Sequence, residues 1–168
     1  MNALKARKTA YMALTIALAM ILSFVESQVP ALVAIPGVKI GLANIAVMFA
    51  LYKFGWKEAV GISILRVVLV SALFGNAMSI LYSLAGAALS LLGMIALRRI
   101  KALSCISVSV CGGVLHNVGQ TLMAWLLLDT AAVTYYLPFL VLSGTVSGVA
   151  IGIAAGIMIG RVDLDKVH

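Results

Sequence analysis

Gly61-Ile-Ser-Ile-Leu-Arg-Val-Val-Leu-Val-Ser-Ala-Leu-Phe74 decides the class of this fold. Apart from Arg66 and two serines, the run is apolar or glycine. A stretch of this kind reads as a helix in a bilayer, and Arg66 sits at its middle. A guanidinium keeps its charge, and at the bilayer centre it costs roughly 3 kcal/mol on insertion scales. Arg66 is therefore expected to face a polar interior, a partner group or a bound anion. The structural alternative is a pairing with a helix-end carbonyl or an acidic side chain.

The rest of the chain agrees with a membrane setting. Of 168 residues, 64% are hydrophobic and 10% charged, with a mean hydropathy of +1.18. Soluble domains are about half apolar and a quarter charged. The chain reads as an all-α integral membrane protein, one compact domain over residues 1–168. Long apolar runs without two-residue alternation exclude a membrane barrel.

Apolar runs of about 20 residues, enough to cross a layer of roughly 30 Å, give six expected spans. They cover residues 9–28, 39–54, 57–74, 77–98, 104–128 and 136–160. With six spans and both termini inside, ten of the twelve basic residues fall in the cytoplasm. These are Lys5, Arg7, Lys8, Lys53, Lys57, Arg98, Arg99, Lys101, Arg161 and Lys166; only Lys39 and Arg66 do not. The asymmetry follows the positive-inside rule, so the basic balance is a topology signal and not a nucleic-acid footprint. The expected location is a prokaryotic inner membrane. Lys5, Arg7 and Lys8 before an apolar run resemble a secretory signal, but Glu26-Ser-Gln-Val-Pro-Ala31 is a poor cleavage site, so the first helix is expected to stay.

Cys105 and Cys111 are six apart on one helix and point to different faces, so they do not bridge. No metal-ligand spacing is present, and no cofactor is expected. In the sixth span, Gly144, Gly148, Gly152, Gly156 and Gly160 recur every four residues, a ridge for close helix packing. In the fourth, Asn76, Ser79, Ser83, Gly86 and Ser90 form a small polar stripe expected to face protein. Ala6, Ala10, Ala13 and Ala17 repeat at the same interval in the first.

Val29-Pro-Ala-Leu-Val-Ala-Ile-Pro-Gly37 joins the first two spans. Its prolines prevent a continuous helix, and its apolar side chains suit either a lid over a pocket or a connector at the headgroups. Polar groups gather toward the outer half: Lys39 and Asn44 on the second span, Asn76 on the fourth, and His116, Asn117 and Gln120 on the fifth. Together with Arg66 they suggest a pocket for a polar or anionic small molecule. Each alone also serves as interhelical glue. Acidic residues are scarce at that depth, with Glu26 and Asp129 near the outer ends of their helices and Glu58 at the cytoplasmic end of Arg66's own.

Three blocks carry a family resemblance: Pro36-Gly-Val-Lys-Ile-Gly-Leu-Ala-Asn-Ile45, Phe74-Gly-Asn-Ala-Met-Ser-Ile-Leu-Tyr-Ser-Leu-Ala-Gly86 and Gly112-Gly-Val-Leu-His-Asn-Val-Gly-Gln120. They resemble the membrane family called heptaprenyl diphosphate synthase component I, also called Gx transporter. That family in turn is similar to the substrate-capturing S components of energy-coupling-factor (ECF) transporters. The resemblance implies a substrate-binding subunit working with separate ATPases and a coupling subunit. It also implies that Ala10, Ala13 and Ala17 form the docking face, and that residues 29–37 are the lid.

The synthase name meets a chemical obstacle. Prenyl elongation needs clustered aspartates to hold magnesium against a diphosphate. The aspartates here are Asp129, Asp163 and Asp165, and no Asp-Asp-x-x-Asp occurs. No Walker motif occurs either, so ATP hydrolysis would come from partners. The expectation is a non-enzymatic membrane subunit for uptake. The alternative is a non-catalytic membrane partner of polyprenyl diphosphate or quinone biosynthesis, or of a flavin-based extracytoplasmic electron-transfer system.

Overall fold

The computed structural model of the protein describes residues 2–28, 41–74 and 77–162. The described residues form six α-helices and one 3-10 helix, with no strand among them. They are α1 (Asn2–Gln28), α2 (Asn44–Lys53), α3 (Trp56–Phe74), α4 (Ala77–Leu97), α5 (Cys105–Leu128) and α6 (Leu137–Arg161), with the 3-10 helix Ala131–Tyr136 leading into α6. The segments Ala6–Glu26, Ile80–Leu97 and Ala132–Arg161 are long and apolar enough to cross a membrane.

The second expected span is the one that differs most. It was placed at residues 39–54, yet the helix runs only from Asn44 to Lys53. Gly41 has φ +77°, a left-handed backbone that stops the helix from starting earlier. Ten residues at a rise of 1.5 Å cover about 15 Å, half of the hydrocarbon layer, so α2 does not cross it alone. Instead α2 is the hub of the bundle. Ala46, Val47, Met48, Phe49, Ala50 and Leu51 are all buried, as a helix apolar on every face requires. Val47, Met48, Ala50 and Leu51 pack with Ala59 and Ile62 of α3, Leu91 and Met94 of α4, Val108 of α5 and Ala155 of α6.

Gly55 turns the chain from α2 into α3. Its φ of +121° suits glycine, and its N–H together with that of Phe54 closes α2 on the Ala50 carbonyl at 3.1 and 2.9 Å. Ser104 caps α5 by accepting the Ser107 N–H at 3.1 Å. Pro138 opens α6, where a missing N–H costs nothing.

The most extensive packing joins α5 to α6 and α4 to α5, and glycine makes it possible. A Cβ built on Gly144 would lie 2.8 Å from the Gly113 carbonyl oxygen, one on Gly148 2.6 Å from Val110 Cα, and one on Gly152 2.7 Å from Ile106 Cα. The expected ridge of five stops there, because Gly156 and Gly160 face open space. The two helices are antiparallel, and α5 begins at Cys105, so no helix remains opposite the last two glycines. Gly86 and Gly119 bring α4 and α5 equally close: a Cβ on Gly119 would meet the Ala85 oxygen at 2.7 Å. Ser90 of the α4 stripe is buried and lies against Gly112 of α5.

The first three helices meet differently. Lys8 of α1 donates to Glu58 of α3 at 2.6 Å. Arg98, just past α4, donates to the Tyr52 carbonyl at 3.2 Å. Those contacts, with Val162 packed beside Phe49, gather one end of each helix into a basic end.

Candidate functional site

Arg66 lies on α3 among a mixed set of neighbours. Ile62, Ser63 and Val67 are buried, whereas Ile64, Leu65 and Val68 face outward. The guanidinium Nε is buried and has no hydrogen-bond partner. An unpaired donor on a permanent cation in a low-dielectric surrounding is costly, and a counter-charge offsets that cost. The acidic group that acts on it electrostatically is Glu26 of α1. Glu26 Oε1 also accepts the Gly41 N–H at 2.5 Å.

Gly41 ties this end of the bundle together. A Cβ there would sit 3.1 Å from Asn44 Nδ2 and 3.3 Å from Ile151 Cδ1. The Asn44 N–H donates to the Gly41 carbonyl at 2.8 Å, which seats the Asn44 side chain over the glycine. Glu26, Gly41 and Asn44 thus join α1 to the start of α2 through polar atoms, and the Glu26 charge acts on Arg66 of α3. The sequence reading sets Glu26 aside because it lies near the outer end of its helix. Its rarity is the available signal: with Glu58 tied to Lys8, Glu26 is the acidic group among the described residues whose charge acts on Arg66.

The remaining expected pocket residues divide among other seams. Asn117 is buried and donates from Nδ2 to the Leu140 carbonyl at 2.6 Å, joining α5 to α6. His116 and Gln120 face α4: a Cβ on Gly86 would lie 3.0 Å from His116 Cε1 and 2.9 Å from Gln120 Cγ. The single outward pocket drawn from the polar groups of four helices therefore separates into an α1–α3 cluster and two interhelical contacts. The reason is helical: adjacent residues such as His116 and Asn117 point about 100° apart and cannot share a face. Lys39, Asn76 and the 29–37 segment lie outside the described residues.

Ala10, Ala13 and Ala17 are all exposed on α1, beside the outward Leu14 and Ile21. That face packs on no other described helix. Among the described residues, no group of three His, Cys, Asp or Glu is placed to hold a metal ion.

The sequence matches the heptaprenyl diphosphate synthase component I family over residues 15–158, from the middle of α1 to the end of α6. The chain belongs to that family. No curated protein and no solved structure matches the chain significantly.

Proposed function

We propose that this chain is the non-catalytic membrane subunit of a polyprenyl diphosphate synthase, whose magnesium-binding aspartates reside on a separate component. Family membership over residues 15–158 carries the reading. Chemistry divides the labour: this sequence lacks clustered aspartates, but it supplies long apolar helices. A growing prenyl chain is increasingly insoluble in water, and a membrane partner gives it an apolar surface while its diphosphate stays at the water boundary.

In this reading the chain is a multi-pass protein of a prokaryotic inner membrane, with both termini and the basic end cytoplasmic. Co-expression with a candidate catalytic subunit tests the function. The catalytic subunit should co-purify with this chain in detergent, move to the membrane fraction, and make its long-chain product there. A catalytic subunit whose location, activity and product length ignore this chain would defeat the proposal. Introduced cysteines near Ala132 should react with an impermeant reagent in intact cells, and those near Lys57 and Lys101 should not; the reverse pattern overturns the topology.

A second reading, capture of an anionic small molecule for uptake, draws on one observation: the buried, unpaired Nε of Arg66. The exposed alanines of α1 would then dock the coupling subunit. Its likeness to S components rests on sequence blocks alone. A small anion that co-purifies with wild type and is lost in Arg66→Gln would favour it.

A further inference from the structure

Where α2, α3 and α4 meet at the basic end, a cleft of about 280 Å³ opens between Leu51, Trp56, Ile95, Arg98 and Arg99. Its composition is amphipathic in one direction: an apolar floor from Leu51 and Ile95, an indole at the side, and two guanidinium groups at the rim. We propose that this cleft binds the head of a phosphate-bearing amphiphile, either a prenyl diphosphate or an anionic phospholipid, with the apolar tail running along α4 into the bilayer.

Four features support the assignment. Arg98 is held in place by Tyr52, donating to its carbonyl at 3.2 Å with the guanidinium 5.1 Å from the ring centroid. A guanidinium oriented in this way presents a planar donor fork suited to phosphate oxygens. Trp56 is half exposed and stacked by Lys57 at 5.6 Å, an aromatic at the depth where indoles border water and hydrocarbon.

Among the described residues, the local charge is also uncompensated. Glu58, the acidic residue nearest in sequence, is already paired with Lys8 at 2.6 Å. Glu26 acts on Arg66 at the other end of the α1–α3 cluster. Basic pockets between membrane helices on the positive side bind phosphate head groups for this reason.

Finally, a track for the tail is present. Leu81 and Leu92 of α4 are exposed, Ala88 and Ala96 share that outward stripe, and Arg99 is exposed two residues past the helix end. From Leu81 to Leu97, where α4 ends, a helical rise covers about 24 Å, most of the thickness of the hydrocarbon layer. A head at Arg99 therefore places its chain on lipid-facing apolar surface throughout.

The cleft is defined by its own residues; only its prenyl diphosphate ligand rests on the proposed function. The test uses the full chain purified in a non-ionic detergent, with binding read by native mass spectrometry and by titration. The probes are geranylgeranyl diphosphate, phosphatidylglycerol, phosphatidylcholine and inorganic pyrophosphate. At least one of the first two should bind, and phosphatidylcholine about tenfold more weakly. Arg99→Gln and the double variant Arg98→Gln/Arg99→Gln should each weaken that binding by about tenfold or more. Arg161→Gln, a charge loss at the basic end of α6 but outside the cleft, should not.

Binding of phosphatidylglycerol alone supports the cleft and counts against the prenyl ligand, leaving the membrane-subunit reading to the co-expression test. The proposal is overturned if neither amphiphile binds, if only pyrophosphate binds, or if Arg161→Gln weakens binding as much as Arg99→Gln. Arg99→Gln keeps the test decisive where loss of Arg98 also loosens Tyr52.

Discussion

Between α5 and α6, a Cβ on Gly148 would stand 2.6 Å from Val110 Cα. Between α1 and α3, the groups that act on each other are charged: Glu26 on Arg66, and Lys8 on Glu58 at 2.6 Å. One half of the bundle joins backbone to backbone through glycine, and the other joins through a few polar atoms around the short hub α2. Glycine contact maximises dispersion and leaves no room for a ligand or for adjustment. Ionic contact at low dielectric is strong but depends on every partner being present, so it creates places where a bound anion or a moving helix changes the energy. The α4–α6 half is thus the close-packed scaffold, and the α1–α3 half carries the buried, unpaired Nε of Arg66.

The largest effect is expected in the scaffold. Gly148→Leu drives a side chain into the α5 backbone and should cost about 3 kcal/mol or more, roughly 6–12 °C in thermal unfolding at this chain length. Gly156→Leu faces open space and should unfold within about 2 °C of wild type. Equal losses at both positions would mean that the tight seam runs the whole length of α6.

Glu26→Gln comes next. Glutamine still accepts the Gly41 N–H, but it removes the charge acting on Arg66, and a loss of about 1–3 kcal/mol is expected. Adding Arg66→Met should restore most of that loss, since removing both charges leaves nothing unpaired. Additive losses in the double-mutant cycle would show that the two residues do not act on each other. Asn117→Ala removes a single interhelical hydrogen bond and should cost about 0.6–1.7 kcal/mol by thermal unfolding, with ligand binding unchanged.

The smallest effect on stability belongs to Ala13→Trp. The alanine is exposed on α1, so unfolding should shift by under about 0.5 kcal/mol. Co-purification of a partner subunit should fall sharply. A large loss of stability would instead place that face inside the bundle.

Helix identity was legible in the chain because apolar run length and composition state it directly, as in α4 and α6. The end of α2 was legible from Phe54-Gly55, but its beginning was not. Residues 41–43 are as apolar as those that follow, and only the φ of +77° at Gly41 shows where the helix cannot start. Arg66 announced itself through the cost of its charge. Its relation to Glu26, 40 positions earlier in the sequence, did not, because pairing across a bundle depends on helix register.

Composition, run length and charge pattern state the membrane class, the all-helical fold, the basic asymmetry and the absence of an aspartate-rich catalytic motif. These are sums over residues, insensitive to where each side chain points. Only the tertiary structure decided that α2 is a buried hub, that three of five glycines meet α5, and that Asn117 turns to α6 while His116 turns to α4. It also brought Arg98 and Arg99 to a cleft beside Trp56. Those outcomes depend on rotation and offset between helices, set by which backbones approach most closely, and no single helix's periodicity encodes them.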